Sequence, residues 1–303
     1  MVWLHSEDPY LPSDLDTHIS NTQPENNFTV VSGAPSPLDV TNLNALNDLG
    51  GSAVYLTSKD DVTTGPTWLQ GNAPDADGKT AGTTASVIVY EHGDGTVDAF
   101  YMYFYSYNWG GIVRIPILDI ELGNYGNHVG DWEHNMVRFV NGTPAWVWYS
   151  QHANGQAFSY EATEKSGLRP VAYSANGSHA NYAIAGTHDH TIPNLNGDDE
   201  GVLTDFTDQG KLWDPLLSAG FYSYAPSPET FTAYDGAAAT GFLYFNGKWG
   251  DQQYPDSDPR QKELFGNAKY SGGPTGPRDK QLSRTDVCPD NGNDCILRTE
   301  LGP

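Results

Sequence analysis

The sequence predicts an all-β protein, namely an antiparallel β-sandwich core with long loops and a few short helices. Three observations favour this class. Alternating strand-like runs occupy the middle of the chain, helical periodicity is scarce, and 33 Gly and 20 Pro residues punctuate the 303 positions. The length allows one large domain with a sizeable core, and we find no internal repeat and no clean linker.

We therefore expect a single β-sandwich domain over residues 1–303. Within it, residues 1–80 are predicted to be an N-terminal wrapping segment, and residues 85–190 to hold the core strands and the candidate site. Residues 200–303, rich in Pro, Gly and Asp towards their end, are predicted to be a loop-rich C-terminal wrap. Short helices are expected in "LDVTNLNALNDL" and "KLWDPLLSA", at 38–49 and 211–219.

The core strands are predicted from side-chain alternation. "ASVIVYEH" (85–92) is β-branched and apolar, and the turn "GDGT" follows it. In "VDAFYMYFYSYNW" the tyrosines occupy one face and the Phe and Met side chains the other. "NMVRFV" and "AWVWYSQH" flank the turn "NGTP" and predict a hairpin, and "RPVAYSA" predicts one more strand.

The charge balance excludes several partners. Fifteen Lys and Arg residues stand against 38 Asp and Glu, for a formal net charge of −23. Such a surface repels phosphate backbones and bare anionic membrane, so we expect no nucleic-acid partner, and it favours recruiting a divalent cation. No apolar run approaches the roughly 20 residues that a transmembrane helix needs.

The cysteines and sequons point to an oxidising compartment. Cys288 and Cys295, in "CPDNGNDC", could close a small disulfide loop, and the alternative is two free thiols. Asn27, Asn141 and Asn176 begin N-glycosylation sequons. The opening "MVWLHSEDPY" lacks a basic and then apolar leader, so a signal peptide is expected to be absent or already removed. We expect a mature extracellular (secreted) or vacuolar protein.

The stretch "GNHVGDWEHNMVRF" is the strongest candidate for a metal site. On a strand, Asp131 and Glu133 project from the same face, while Trp132 and His134 project from the other. Two neighbouring carboxylates repel unless a positive charge separates them, and oxygen-rich ligation favours Ca²⁺, Mg²⁺ or Mn²⁺. We therefore predict that His128, Asp131 and Glu133 bind a divalent cation. The alternative is a solvated strand edge without an ion.

Three more groups are candidates for function. His152 ends a strong strand and His179 lies in a Gly- and Asn-rich loop, which are positions that often carry catalytic groups. We predict that both are catalytic, as general acid or base. The segment 188–190, "HDH", is equally compatible with function and with a solvated loop.

Aromatic side chains provide a candidate substrate surface. Tyr103, Tyr105 and Tyr107 share one strand face, and Trp148 lies on a neighbouring strand. Such rings can stack on sugars, and they are equally common in strand cores. We predict substrate-binding roles for these four residues.

Several motifs in order carry a resemblance to a known family. "WLHSEDPYLPSDL", "HVGDWEH", "SQH", "RPVAYSANGSHANY", "KLWDP", "GKWGD" and "GGPTGP" resemble the fungal and plant family related to vacuolar protein sorting-associated protein 62, over nearly the whole chain. This resemblance does not bring a biochemical activity with it.

A more distant resemblance links the chain to the necrosis-inducing secreted cytolysins, whose signature is G-H-R-H-D-W-E. "NHVGDWE" matches it at His128, Asp131, Trp132 and Glu133 and has Gly130 in place of the second histidine. The resemblance implies a β-sandwich in which the matching His, Asp and Glu surround a divalent cation. Asp119 is the candidate for the additional aspartate of those cytolysins.

Three functions follow from these residues. The first is a secreted, divalent-cation-dependent enzyme that cleaves extracellular polysaccharide by glycoside hydrolysis or elimination. The second is a non-enzymatic, metal-dependent module that binds a glycan or glycolipid, or acts like a cytolysin. The third is a purely structural ion that ties loops to the sandwich. Signatures of serine hydrolases, zincins and P-loop NTPases are absent from the sequence.

Overall fold

The computed structural model describes residues 1–115, 120–192, 195–197, 203–264 and 266–302. Strands account for 40% of the residues and helices for 12%, with several sheets, so the predicted all-β, sandwich-like class is confirmed. None of the helices in the described ranges has the length and apolar character of a membrane span.

The strands are numbered in chain order. The first twelve are β1 Val2–Leu4, β2 Thr22–Asn26, β3 Thr29–Val30, β4 Tyr55–Ser58, β5 Ala85–Glu91, β6 Thr96–Asn108, β7 Gly111–Ile115, β8 Ile120–Tyr125, β9 His128–Val140, β10 Thr143–Gln151, β11 Asn154–Ser159 and β12 Lys165–Ser166. The others are β13 Arg169–Pro170, β14 Ala172–Ser174, β15 Asn181–Tyr182, β16 Gly186–Ile192, β17 Leu195–Gly197, β18 Leu203–Thr207, β19 Lys211–Trp213, β20 Ala219–Pro226, β21 Glu229–Ala233, β22 Glu263–Leu264, β23 Asn267–Ala268 and β24 Leu297–Arg298.

Helical segments are short. The α-helices are α1 Leu15–Ser20 and α2 Gly241–Tyr244. Single-turn or slightly longer 3₁₀ segments cover Leu43–Leu49, Gly51–Ala53, Val62–Thr64, Thr67–Gln70, Pro215–Ser218 and Pro277–Asp279.

An eight-stranded sheet forms the centre, in the order β21-β20-β5-β6-β9-β10-β11-β24. Its middle is antiparallel, with long strands β6 and β9 paired over almost their whole length. The predicted antiparallel arrangement needs one correction, because β20 pairs with β5 and β24 pairs with β11 in parallel. In both pairs a long segment of chain separates the two strands, and parallel neighbours require such a long crossover connection.

Opposite faces of this sheet bury different side chains. One face packs Phe100, Phe104 and Trp132 against the N-terminal and C-terminal wraps. The other face packs Tyr103, Tyr105 and neighbouring apolar residues against a four-stranded sheet of order β15-β14-β1-β19. These two layers are the sandwich, and the alternation along β6 produces them.

A five-stranded sheet, β17-β16-β18-β7-β8, lies at the end of the sandwich where the candidate site is found. A three-stranded sheet, β3-β2-β4, belongs to the N-terminal wrap, and two two-stranded ribbons, β12-β13 and β22-β23, complete the pairing.

Two predicted helices are wrong in part. The segment 38–49 is 3₁₀-helical only over Leu43–Leu49, and 211–219 begins as strand β19 before the 3₁₀ turn Pro215–Ser218. Helix α1 was not predicted. It is capped by Asp14, whose side chain accepts a hydrogen bond from the backbone N–H of Thr17.

The residues after 250 form mostly loop with three short strands, as predicted. Cys288 and Cys295 are joined by a disulfide, with Cα atoms 5.4 Å apart, so the predicted bond is confirmed.

Candidate functional site

The pairing of strands β6 and β9 positions the two acidic residues of the site, Asp131 and Glu133. Tyr105 pairs with Asp131, and Tyr103 pairs with Glu133, so the two carboxylates follow one another on the tyrosine face of the sheet. Asp131 and Glu133 are each 5% exposed. Burying two neighbouring carboxylates is costly unless other groups compensate their charge, so the surroundings of each decide its state.

Gly130 shapes the start of β9. Its φ is +68°, a left-handed conformation that favours glycine, and a Cβ there would collide with the carbonyl oxygen of Trp249. The histidine that the cytolysin signature has at this position cannot be placed on this backbone.

His179 compensates the charge of Asp131. Its Nδ1 lies 3.0 Å from Asp131 Oδ2 and its Nε2 lies 3.1 Å from the carbonyl oxygen of Tyr10. Both partners can only accept, so both ring nitrogens carry protons and the ring is an imidazolium. Burial lowers the pKa of His179, but the charges of Asp8 and Asp131 outweigh burial and raise it overall.

The His179 ring is enclosed. It is fully buried and stacks on Tyr105, with ring centroids 3.7 Å apart. Asp8 Oδ2 lies 3.6 Å from Nε2 on the far side. With both nitrogens bonded and no exposed edge, His179 is placed to hold Asp131 ionised, whereas its predicted catalytic role would need access to a substrate.

His152 forms a second histidine–aspartate pair, and this one is open. Its Nε2 lies 2.8 Å from Asp205 Oδ2, and 31% of the His152 side chain is exposed. Asp205 also accepts hydrogen bonds from the hydroxyls of Ser178 and Tyr182, both at 2.7 Å. Burial lowers the pKa of His152, but the charge and hydrogen bond of Asp205 raise it to about 9.

The loop between β14 and β15 joins the two pairs. Ser178 bonds Asp205 and the next residue, His179, bonds Asp131. Asn108, at the end of β6, donates to Asp131 and to the carbonyl of Ser178. His152 and His179 both have left-handed backbones, with φ of +56° and +57°. Such residues cost free energy and concentrate at functional sites.

Glu133 is the least compensated member of the site. The Ser150 hydroxyl donates to its carboxylate. Burial and the negative charge of Asp131 hold the pKa of Glu133 well above its usual range. A cation beside Glu133 would favour its ionised form.

His128 faces the same group of charges in its neutral form. Its Nδ1 donates to the carbonyl oxygen of Gly130 at 2.7 Å, which leaves the proton off Nε2. Burial lowers the pKa of His128, and the charge of Asp131 opposes that shift. A neutral imidazole whose other nitrogen is held by a carbonyl is the form that binds metal ions.

The predicted metal ligands fit a hard divalent cation by chemistry, because they are two carboxylates and a neutral imidazole. Across the described ranges, however, no three His, Cys, Asp or Glu side chains converge closely enough to hold an ion. Asp119, the candidate additional ligand, lies outside the described residues. The cation therefore stays a prediction.

The aromatic candidates lie inside the protein. Tyr105 and Tyr107 are 0% and 5% exposed, and Trp148, at 2%, belongs to the core on the opposite sheet face. A sugar on the surface would not stack on these three rings. Tyr103 is 3% exposed and lines a cavity of about 440 Å³ together with Tyr101 and Tyr149, and the lining of that cavity does not include Asp131 or Glu133.

The segment 188–190 belongs to β16 rather than to a loop. His188 is buried, stacks on Tyr182 with centroids 3.8 Å apart, and bonds the hydroxyl of Thr207. It supports the sheet that carries Asp205.

Sequence reasoning missed Asp205, Asp8 and Trp109. Asp205 lies in an ordinary short strand between Thr204 and Phe206, and Asp8 is 123 positions from Asp131, so no local spacing identifies either. Trp109 follows β6, is 37% exposed, and its backbone N–H donates to the carbonyl of Gly177. The sequence signal for Trp109 was its position directly after the tyrosine-rich strand β6.

Comparison with known proteins identifies the family. The family model described as vacuolar protein sorting-associated protein 62 matches residues 1–215. The chain belongs to the vacuolar protein sorting-associated protein 62 family. The resemblance seen in the sequence motifs is thereby confirmed.

Two relatives from Saccharomyces cerevisiae agree with this assignment. The putative vacuolar protein sorting-associated protein TDA6 is 38% identical over 95% of this chain and 66% of its own length. Vacuolar protein sorting-associated protein 62 is 35% identical over 95% of this chain and 65% of its own length. The chain thus spans slightly less than two thirds of the relatives that it matches.

Solved structures give a weaker likeness. A structure titled "NLPPya in complex with glucosamine" is 14% identical, with a TM-score of 0.27, and covers 73% of this chain and 82% of that chain. Necrosis and Ethylene inducing Protein 2, from the causal agent of cocoa's Witches Broom disease, is 14% identical with a TM-score of 0.29, covering 85% and 93%. Nothing about the function of this chain follows from likeness at that level.

Proposed function

We propose that this family member is a divalent-cation-dependent glycan-binding protein whose site is formed by His128, Asp131 and Glu133. The observation that carries the proposal is the side-by-side burial of Asp131 and Glu133 on one sheet face. His179 neutralises Asp131 only, so Glu133 has no cationic hydrogen-bond partner among the described residues.

The three residues supply suitable donors, and cation binding would require their side chains to move closer together than they are among the described residues. His128 offers the unprotonated Nε2, and Asp131 and Glu133 offer carboxylate oxygens. Such mixed oxygen and imidazole sets suit Ca²⁺, Mg²⁺ or Mn²⁺. A bound cation of this kind supplies coordination positions that sugar hydroxyls can occupy. The charge of one divalent cation leaves most of the net −23 of the chain in place, so we still expect the surface to repel nucleic acid.

The solvent-exposed groups at the rim support a sugar ligand. Trp109 is 37% exposed and its backbone bonds Gly177, while the His152 side chain is 31% exposed and is joined to the same loop through Asp205 and Ser178. An exposed indole can stack on a sugar ring, and a protonated imidazole can donate to a hydroxyl. The disulfide supports action outside the cytosol, in the vacuole or the extracellular space.

A second function, polysaccharide cleavage, is favoured by His152 alone. It is protonated at neutral pH, is oriented by Asp205, and reaches solvent, which are the properties of a general acid. In this case His152 would protonate the leaving oxygen as the glycosidic C–O bond breaks. Water would add to the anomeric carbon in hydrolysis, or would take the ring proton next to the leaving group in elimination. Asp205 would act as a positioning residue.

Binding measurements test the first proposal. Isothermal titration with Ca²⁺, Mg²⁺ and Mn²⁺ should show binding that Glu133→Gln weakens at least about tenfold, which corresponds to a loss of about 1.4 kcal/mol. Asp214→Asn is the matched control, because Asp214 is also a buried carboxylate but accepts hydrogen bonds from Arg169, beside a cavity whose lining includes none of the three proposed ligands. A glycan array with and without chelator completes the test.

Two outcomes would reject the proposal: equal cation affinity in the wild type and Glu133→Gln, or glycan binding that chelator leaves unchanged. The cleavage alternative is decided by assaying reducing ends and ultraviolet-absorbing unsaturated products. Products that accumulate with the wild type and disappear with His152→Gln would support it, and bound glycan recovered intact would exclude it.

A further inference from the structure

Arg284 is a buried cation without an anionic contact. It lies in the C-terminal wrap, is 6% exposed, and none of its three side-chain nitrogens has a hydrogen-bond partner among the described residues. Its guanidinium carbon lies 5.0 Å from the ring centre of Phe100 and 5.6 Å from that of Trp148. These ring faces attract the charge but accept no conventional hydrogen bond.

The carboxylate that acts on Arg284 electrostatically is already engaged. Asp98 accepts two hydrogen bonds of 2.7 Å from Arg138 and lies 2.9 Å from His92 Nε2. Its charge raises the pKa of Arg284, yet burial dominates and lowers that pKa to about 9. Arg284 is therefore left uncompensated, although the chain has 38 acidic residues and only 15 Lys and Arg.

Arg138 also holds Arg284 in place. Its guanidinium donates to the backbone carbonyls of Arg284, Thr285 and Asp286. Because these hydrogen bonds fix the backbone of residues 284–286, Arg284 is not free to leave the interior by a local shift of the loop.

His134 presents a second unpartnered group to the same region. It is 4% exposed, and neither of its ring nitrogens has a hydrogen-bond partner in the described part of the chain. Its ring centre lies 6.2 Å from that of Phe100, the ring that Arg284 also covers. Burial and the charge of Arg284 lower the pKa of His134.

We propose that Arg284 and His134 together bind a small monovalent anion of the chloride type inside the protein. Burying a guanidinium with no acceptor costs several kcal/mol, and one anion would accept hydrogen bonds from Arg284 and from the protonated ring nitrogen of His134. Since both side chains are enclosed, the site admits a halide-sized ion rather than a phosphate or an organic acid. The ion links the C-terminal wrap to the sheet.

Crystals soaked in sodium bromide test the proposal directly. We expect a bromide anomalous peak in contact with the Arg284 guanidinium of the wild-type protein. Anomalous maps that show no bromide there, with ordinary water bonded to Arg284 and His134, would overturn the inference. This measurement does not depend on any variant and does not involve the proposed cation site.

Thermal unfolding in matched sodium salts provides the second test. At equal ionic strength, chloride or bromide should raise the wild-type Tm over gluconate by at least about 2 °C, because an ion that binds only the folded state stabilises it. Arg284→Met should abolish this difference. Arg260→Met, which removes a partly exposed cation paired with Asp258, should retain it. Equal Tm values of the wild type in gluconate and chloride would contradict the proposal.

Discussion

At the scale of single residues, the two histidine–aspartate pairs of the site differ in access to solvent. His179 bonds Asp131 and the Tyr10 carbonyl and is fully buried, whereas His152 bonds Asp205 and keeps an exposed edge. The same residue type therefore serves to fix charge in one position and remains able to exchange a proton with solvent in the other. Reactivity is expected only of His152.

The pKa of His152 leads to a prediction about pH. The value rises from 6.5 to about 9 on folding, so the stabilisation is fully present below about pH 6.5 and is lost as pH rises through about 9. Wild-type Tm should fall over this interval more steeply than that of His152→Gln. Comparing the two chains removes the contributions of other titrating groups.

Nuclear magnetic resonance titration of the His152 ring measures the same quantity without unfolding. A midpoint near that of a free histidine would contradict the assigned Asp205 pair. Asp205→Asn should move the midpoint down, because the neutral amide removes the charge that favours the imidazolium.

Local chemistry, but not its assembly, could be predicted from the sequence. The grouping of His128, Asp131 and Glu133 follows from strand periodicity, which places neighbouring acids on one face. The partners Asp8, His179 and Asp205 come from the N-terminal wrap, a loop and another sheet. Contacts between segments so far apart depend on tertiary packing, which spacing along the chain does not record.

At the scale of secondary structure elements, Gly130 allows the backbone of β9 to pack closely against the backbone of Trp249. Gly130→Ala should destabilise the protein by well over the roughly 1–2 kcal/mol that a left-handed alanine costs, because its Cβ also meets the Trp249 carbonyl. Gly142→Ala is the matched control: Gly142 has φ +77° and open space around its Cβ position. Chemical denaturation of both variants measures the difference, and equal losses would contradict the steric explanation.

The strands were predicted correctly where their side chains alternate between two sheet faces. Strands β5, β6, β9 and β10 were identified because their side chains divide between two buried faces. The prediction failed at 211–219, where Pro215 and the pairing of Lys211–Trp213 with β1 override the helical pattern. The parallel partner of β5 could not be found either, since nothing in 219–226 specifies direction.

At the scale of the whole molecule, the central sheet is assembled from distant parts of the chain. Strands β5 to β11 supply its middle, while β20, β21 and β24 come from the C-terminal wrap. The family match ends at residue 215, before all three of these strands. The family match therefore ends before the chain has supplied all the strands of the central sheet.

A chain cut after residue 215 should fail to fold. It would lose β20, β21 and β24 and expose a long apolar edge at β5, whereas a control chain ending at Arg298 keeps every strand. Size-exclusion chromatography and the cooperativity of thermal unfolding compare the two. A monomeric 1–215 chain with a sharp transition would contradict this expectation.

The parallel β5–β20 pair also affects biosynthesis. Ala85 pairs with Ala219, which the ribosome adds 134 positions later. During that interval the nascent chain presents the free hydrogen-bonding groups of β5 to any other emerging polypeptide. Chaperones that bind the unpaired edge of β5 during translation should therefore raise the yield of native protein.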